Sequence, residues 1–102
     1  MSSPEADPIR LSARARQDLI DILRFTGETW GRQQIFAYRD KIDAALQAIS
    51  RNPRLGHRRS DLPGTHRAYL VSAHIIVYRP EKTHIGIVRI LHQRMSPPGH
   101  RL

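Results

Sequence analysis

Cysteine and long apolar runs are both missing from this sequence. Without a cysteine in 102 residues, the chain can form neither a disulfide framework nor a thiolate zinc site. No apolar run approaches the roughly 20 residues of a membrane-spanning helix, and the polar, acidic residues 1–7 do not fit a secretion signal. We therefore expect a cytoplasmic protein without a membrane partner.

Acidic residues are scarce in the second half of the chain. Residues 1–50 carry seven Arg or Lys and seven Asp or Glu, whereas residues 51–102 carry ten Arg or Lys and only Asp61 and Glu81. The formal net charge of +8 therefore lies in the second half, which also holds all six histidines. This segregation indicates an anionic partner, which could be nucleic acid, an acidic protein surface or an acidic peptide. The alternative is a basic surface that only aids solubility.

The first half of the chain predicts a hairpin of two antiparallel helices. Ser12 is a good N-cap, and apolar residues recur after it at spacings of three and four, so we expect a helix that ends at Gly27 or Gly31. A second apolar seam predicts a helix over residues 32–50, stopped before Pro53. The core residues expected on the second helix are Ile35, Tyr38 and Ile42.

Residues 65–94 predict a three-stranded antiparallel meander. Runs rich in β-branched and aromatic residues at 67–71, 75–78 and 85–91 are separated by two short turns. Residues 8–11 are a further candidate for a short strand at the sheet edge. We therefore expect one α+β domain over the whole chain, with the helix hairpin packed on a small antiparallel sheet and with flexible tails at 1–7 and 95–102.

Alternation along the last strand sorts its side chains by face. The two expected sets are Val88, Ile90, His92 and Arg94 on one face, and Ile85, Ile87, Arg89 and Leu91 on the other. This arrangement predicts that cationic groups gather at one edge of the sheet.

Composition and spacing give little support for a metal site or a covalent nucleophile. No two histidines have the i, i+4 spacing of a helical zinc site. The G-x-S-x-G pattern of hydrolases is absent, and Ser60 and Ser72 fall in turn contexts. We therefore expect no metal ion and no cofactor.

Acid–base chemistry on RNA is an alternative that the residue types leave open. It needs a base for the 2′-hydroxyl, cations for the phosphorane charge and an acid for the leaving oxygen. The RNA- and DNA-binding signatures of RNP, KH and helix-turn-helix modules are absent. The other alternative is a solvated basic sheet face with half-buried tyrosines. The residues of suitable type are Arg67, Tyr69, Tyr78, Arg89, His92 and Arg94.

Four sequence stretches follow one another in an informative order. They are LSARARQDLIDILRFTGETWG, AALQAISRNPRLGHRRSDLPG, HRAYLVSAHIIVYRP and IGIVRILHQR, and they extend over residues 11–94. Together they resemble the ParE/RelE superfamily of toxins from bacterial type II toxin–antitoxin modules. The NPRLG loop, the strand that ends IVYR and the closing VRILHQR are similar to the ParE branch in particular.

The resemblance implies a RelE/ParE-like fold and a toxin that a cognate, ParD-like antitoxin holds inactive in a hetero-oligomeric complex. ParE members poison DNA gyrase, which implies a binding protein without an active site of its own. The antitoxin would bind through an acidic C-terminal segment that is disordered alone. The residues expected to bind gyrase are Arg67, Arg89, His92 and Arg94. Those expected to bind the antitoxin are Arg58, Arg59, Tyr69 and Arg79.

The RelE branch, whose members cut mRNA on the ribosome, is the second interpretation. Its acid–base and phosphate-contacting groups would be His92, Arg94, Arg67 and Tyr78. Ribonuclease members usually have an arginine early in the middle strand, where this chain has Ile75. They also tend to carry a tyrosine or histidine acid–base group close to the C-terminus, where this chain has Pro97, Pro98 and His100 and no tyrosine. These departures favour the ParE branch.

A third interpretation is a non-toxic protein that only binds an antitoxin. Under each interpretation the arginines of the second half must reach solvent to meet an anionic partner. The arginines expected to be accessible are Arg58, Arg59, Arg67, Arg89 and Arg94.

Overall fold

The computed structural model describes residues 8–94, which form two helices and four strands. Their order is β1 (Ile9–Leu11), α1 (Ala13–Trp30), α2 (Arg32–Arg51), β2 (Arg67–Val71), β3 (His74–Pro80) and β4 (Ile85–His92). The predicted α+β class, the helix hairpin and the meander are confirmed. The tails expected at 1–7 and 95–102 lie outside the described residues. Neither described helix is long and apolar enough to cross a membrane.

Within residues 8–94 the strands form one mixed sheet in the order β1–β4–β3–β2. The three strands of the meander are antiparallel neighbours, as predicted. The expected edge strand β1 is also present, but it runs parallel to β4, so the sheet is not antiparallel throughout. The helix hairpin carries the chain from β1 at one edge to β2 at the other. Alternation in the sequence does not encode the direction of a strand joined in this way.

α1 begins at Ser12, which ties the helix to β4. The Ser12 hydroxyl accepts a hydrogen bond from the Ala15 N–H at 3.0 Å and donates one to the Val88 carbonyl at 2.8 Å. The Ser12 N–H donates to the Ile87 carbonyl at 2.9 Å. The predicted N-cap is confirmed, and it also satisfies carbonyls of the strand edge that β1 leaves open.

Gly31 ends α1 and directly precedes α2. Its φ of 95° lies in the left-handed region that glycine adopts readily, and its N–H donates to the Gly27 carbonyl at 3.0 Å. Gly27, the other predicted end, lies inside α1. A Cβ atom at Gly27 would stand 2.5 Å from Cδ1 of Ile35, so the absence of a side chain permits close approach of the two helices.

The helices bury their apolar faces against one face of the sheet. The buried residues of this main core are Ala15, Ile42, Ala45, Leu46, Ile49, Val71, Ile76, Tyr78, Ile85, Ile87 and Ile90. Ile42 confirms the prediction with 2% exposure, whereas Ile35 and Tyr38 are only half-buried. Both lie in the first two turns of α2, at the tip of the helix hairpin, where Phe25 and Trp30 are exposed as well.

A smaller buried cluster covers the opposite face of the sheet. Its members are Leu62, Ala68, Ile75, Val77 and Leu91, with Val88 packed against them. Leu62 comes from the loop between α2 and β2, so this loop supplies the second layer. β3 is therefore buried on both faces, as its continuous apolar run predicted.

The expected faces of β4 are wrong because the strand contains a bulge. Val77 lies opposite Arg89, whereas the next residue, Tyr78, lies opposite Ile87, which leaves Val88 as an extra residue in β4. The bulge reverses the alternation. Ile90 therefore joins Ile85 and Ile87 in the main core, while Val88 packs in the opposite cluster with Leu91.

Asp18 of α1 closes the edge of β4 beyond the end of β1. Its carboxylate accepts hydrogen bonds from Nε and Nη2 of Arg89 at 2.7 and 3.0 Å and from the Ile90 N–H at 3.0 Å. The hydrogen bonds to Asp18 raise the pKa of Arg89. The two side chains are only 19% and 15% exposed. The expected accessibility of Arg89 is therefore wrong, because an internal ion pair holds it.

Substitution of Asp18 should destabilise the fold. We expect Asp18→Ala to lower the free energy of unfolding by about 3 kcal/mol, because a partly buried guanidinium and a strand N–H lose their acceptor. Urea denaturation measures the change. Asp43→Ala, at an exposed position of α2, is the matched control and should change stability by less than about 0.5 kcal/mol. Equal losses in the two variants would contradict this role of Asp18.

Candidate interaction surfaces

Tyr78 anchors the loop between α2 and β2 to the sheet. The side chain is fully buried, and its hydroxyl accepts a hydrogen bond from the Gly56 N–H at 2.8 Å and donates one to the Pro53 carbonyl at 2.7 Å. Burial raises the pKa of Tyr78. A phenol held in this way cannot reach a ligand in solvent unless the loop moves away.

The glycine of the NPRLG motif is Gly56, and its surroundings leave no room for a side chain. A Cβ atom at this position would stand 2.7 Å from the Tyr78 ring and 2.9 Å from the Ala68 carbonyl. The adjacent His57 exchanges backbone hydrogen bonds of 2.8 and 2.9 Å with Ala68 of β2. The loop is therefore held against the sheet by close backbone contact, which a larger residue would prevent.

Arg67, the first residue of β2, holds the same loop from the other side. Its Nη1 donates to the Gly56 carbonyl at 2.8 Å and makes a longer contact of 3.5 Å with the Arg54 carbonyl. The side chain is half-buried, so only part of the guanidinium faces solvent. Arg67 thus combines a structural role with partial accessibility.

The four residues expected to bind the antitoxin differ in their surroundings. Arg58 is exposed, whereas Tyr69 is half-buried against the main core. Arg59 pairs with Asp61 at 2.8 Å, and Arg79 pairs with Glu81 at 2.7 Å. Both arginine side chains remain substantially exposed, at 38% and 51%. Their partners are less exposed, at 18% for Asp61 and 33% for Glu81. Only the more exposed Arg79–Glu81 pair resembles a surface ion pair, which contributes little to stability and can exchange its partner.

Three ring side chains meet at the tip of the helix hairpin. The Tyr38 hydroxyl forms a hydrogen bond with Nδ1 of His74, and the two ring centroids are 5.4 Å apart. The ring of His92 meets that of His74 edge to face, with centroids 5.3 Å apart. Burial, and then the proximity of His92, lower the pKa of His74.

A cavity of about 570 Å³ lies beside these rings, and exposed aromatic side chains border it. Phe25 and Trp30 of α1 line the cavity and are 64% and 71% exposed. His92 also lines it, and Nδ1 of His92 accepts a hydrogen bond from the Arg94 N–H at 3.1 Å. This aromatic cluster, formed by Phe25, Trp30, Tyr38, His74 and His92, was not predicted from the sequence.

The register of the meander explains why the cluster was missed. His74 lies directly opposite His92. Continuing the register of Pro80 and Ile85 without a bulge would place Leu91 opposite His74 instead. The irregularity in β4 therefore creates the histidine pair, and no local sequence signal marks it.

The residues expected to bind gyrase are not brought together. Arg67 begins β2, whereas His92 ends β4 beside His74 at the far end of the meander. β2 spans five residues between these ends, which separates them by about 13 Å along the strands. Arg94 follows His92, and Arg89 is held internally. His92 and Arg94, which were expected together near the end of β4, do lie next to each other, because the Arg94 N–H donates to Nδ1 of His92 at 3.1 Å. Arg67 and Arg89 do not join them.

Metal ligation finds no support in the part of the chain that the structure describes. Among residues 8–94, no three side chains of His, Cys, Asp or Glu are grouped closely enough to hold a metal ion. In this described part, His74 and His92 are a pair without a third ligand of these types.

Solved structures of toxin–antitoxin systems include chains with this fold. A chain of the chromosomal ParDE system from P. aeruginosa has a TM-score of 0.73 and 16% identity, covering 86% of this chain and 97% of that chain. A chain of the toxin–antitoxin complex RelBE2 from Mycobacterium tuberculosis has a TM-score of 0.59 and 23% identity, covering 85% and 98%. These similarities define the fold class as RelE/ParE-like.

Sequence relatives narrow this class to one family. The family described as ParE toxin of type II toxin-antitoxin system, parDE, matches residues 9–97. Toxin ParE1 from Caulobacter vibrioides is 32% identical over 93 residues, covering 91% of this chain and 96% of that protein. Toxin ParE1 from Mycobacterium tuberculosis is 33% identical over 88 residues, covering 84% and 89%. The chain therefore belongs to the ParE toxin family of type II toxin–antitoxin systems, which confirms the predicted resemblance.

Removing the Tyr78 hydroxyl should affect stability alone. We expect Tyr78→Phe to lower the free energy of unfolding by about 2 kcal/mol, because the Gly56 N–H and the Pro53 carbonyl lose their partner. Target inhibition per folded molecule should not change. Tyr69→Phe is the stability control, because within residues 8–94 its hydroxyl has no hydrogen-bond partner. Loss of activity in a fully folded Tyr78→Phe protein would instead indicate a chemical role.

Stability should decrease as the pH falls through 6.5. The pKa of His74 is lowered from 6.5 in the folded protein, so between these two values the unfolded chain binds more protons. The stabilisation is complete above 6.5 and is lost as the pH falls towards the folded pKa. The free energy of unfolding, measured by urea denaturation, should fall less between about pH 7.5 and about pH 5 in His74→Gln than in wild type. His57→Gln, at an exposed position of the loop after α2, should lose as much stability at low pH as wild type does. Identical pH dependence in all three proteins would refute this assignment.

Proposed function

We propose that this protein inhibits DNA gyrase by binding it and that a cognate antitoxin neutralises it. Membership of the ParE family supports this proposal, because the resemblance implies gyrase as the target of that branch. The proposal assigns no bond-breaking chemistry to the toxin itself. A cytoplasmic location is part of it, because gyrase acts on intracellular DNA.

The observation that carries this proposal concerns the four residues that a ribonuclease would use. They are divided between two ends of the sheet. A base, a cation and an acid must converge on one phosphate to cut RNA. Tyr78 is buried under the loop, and Arg67 is bonded to that loop. His92 and Arg94 lie about 13 Å farther along the strands. A binding protein has no such requirement, because it can use both ends independently.

For the contact with gyrase we assign the main role to His92 and Arg94. His92 lines the cavity that the exposed Trp30 borders, and the Arg94 N–H donates to His92. Aromatic residues and arginine are frequent at interface centres. Arg67 is a second contact at the opposite end of the sheet. Arg89 can contribute only if it leaves its internal ion pair.

For the antitoxin we propose a ParD-like partner with an acidic segment that binds the basic second half of the chain. Arg58, Arg59, Tyr69 and Arg79 are the residues that we assign to this contact. Carboxylates of the antitoxin would replace Glu81 as the partner of Arg79 at small cost, because that pair is partly exposed, and would bind the exposed part of Arg59. The product is a hetero-oligomeric complex in which the toxin is inactive.

Two assays on purified, antitoxin-free protein test the proposal together. Gyrase supercoiling with trapping of cleavage complexes is measured beside mRNA cleavage on translating ribosomes. Loss of supercoiling with intact mRNA is the expected result. Codon-positioned mRNA cuts with unaffected gyrase would overturn the proposal in favour of a ribonuclease. No effect in either assay would favour the non-toxic antitoxin-binding protein.

Arg94→Ala should separate the two main candidates. We expect about tenfold weaker gyrase inhibition, because a charged interface contact is lost. Lys41→Ala removes one charge from an exposed position of α2 and should leave inhibition unchanged. Under the ribonuclease alternative, Arg94→Ala would abolish mRNA cleavage while antitoxin affinity stays largely intact.

A further inference from the structure

A cleft of about 380 Å³ lies between the loop that follows α2 and the start of β2. Its lining includes three arginines, Arg54, Arg58 and Arg67, and we call it the three-arginine cleft. The remaining lining residues are Pro53, Gly64, Thr65 and Pro80. Among residues 8–94, the lining therefore contains three positive charges and no carboxylate.

The acidic residues nearest in sequence already have arginine partners. Asp61 binds Arg59, and Glu81 binds Arg79. Arg54 and Arg58 are both exposed, and within residues 8–94 neither side chain has a hydrogen-bond or ion-pair partner. The positive charge of the three-arginine cleft is therefore not neutralised by the described part of the chain.

Arg67 is already positioned for a ligand. Its Nη1 is bound to the Gly56 carbonyl at 2.8 Å, and Gly56 is itself fixed by the Tyr78 hydroxyl. The other N–H groups of Arg67 make no hydrogen bond within residues 8–94. A guanidinium oriented before binding loses less conformational freedom when a ligand arrives. The buried anchor thus prepares one wall of the cleft.

The chemistry of the lining favours a phosphate group over a peptide. A folding peptide segment needs apolar pockets for alternate side chains, and this cleft offers two prolines, one glycine and the Thr65 hydroxyl. The strongly exposed aromatic residues Phe25 and Trp30 border a different cavity. Several arginines around one small space are instead suited to the oxygens of a phosphate, which they can bind in bidentate pairs.

We propose that the three-arginine cleft binds a backbone phosphate of DNA. Contacts of this kind position a protein on a duplex without reading its sequence. The toxin would thereby contact the DNA segment that gyrase holds as well as gyrase itself, a consequence that rests on the proposed function. Arg58 also belongs to the assigned antitoxin surface, so antitoxin binding would cover the cleft.

Binding of a fluorescent DNA duplex to the full chain tests the cleft directly. The test variant is Arg54→Gln/Arg58→Gln, and the control is Arg16→Gln/Arg24→Gln, at exposed positions of α1. Both variants lower the formal net charge of +8 by two, so general attraction falls equally. Circular dichroism and urea midpoints verify that each protein is folded.

Relative to wild type, we expect the cleft variant to bind DNA roughly tenfold more weakly. The affinity of the control variant should fall by less than about twofold. The slope of log affinity against log salt should fall by about 1 in the cleft variant, because one phosphate contact is lost. Equal weakening in both variants would overturn the proposal, because charge alone would explain it. Unchanged DNA binding in the cleft variant would overturn it as well.

Poly-glutamate is the probe for an acidic peptide. Tighter binding of poly-glutamate than of DNA at equal charge concentration, lost in the cleft variant, would overturn the phosphate assignment. Gyrase inhibition by the same proteins separates the two proposals. If wild type and the cleft variant inhibit gyrase equally, the DNA contact in the gyrase complex is refuted. Gyrase inhibition itself then remains supported. DNA binding that depends on the cleft, without gyrase inhibition, would refute the proposed target and retain the phosphate site.

Discussion

The hydroxyl of Tyr78 is the constraint on which the basic half of the molecule depends. It joins a fully buried position of the central strand to two backbone groups of the following layer, Pro53 and Gly56. The loop thereby covers the second face of the sheet and supplies Leu62 to the smaller core. Arg67 then binds a loop that already has a fixed position. A buried polar network is stabilising only when every buried member has a partner, and among residues 8–94 no buried side-chain nitrogen or oxygen lacks one.

The sheet separates two chemically different surfaces. One end carries arginines around a small polar cleft, and the other carries histidines and exposed aromatic side chains beside an apolar cavity. A single catalytic centre would require these groups to converge, whereas a protein that binds two partners benefits from their separation.

Local signals were sufficient to predict much of the fold. Ser12 and Pro53 mark helix ends through capping and restricted backbone angles, and β-branched runs mark the strands. The faces of β4 could not be predicted, because the bulge at Val88 shifts the alternation without a distinctive residue. Tyr78 looked available for chemistry for a related reason. Whether a loop covers a strand residue depends on contacts such as Gly56, which is distant in sequence.

The capping of α1 has a consequence for synthesis of the chain. Ser12 bonds to Val88, 76 residues later, and Asp18 bonds to Arg89, 71 residues later. Translation proceeds from the N-terminus, so both helices emerge from the ribosome well before the last strand does. The long loops that these contacts close also slow folding relative to helix formation. A nascent toxin can therefore complete this domain only after β4 has been made.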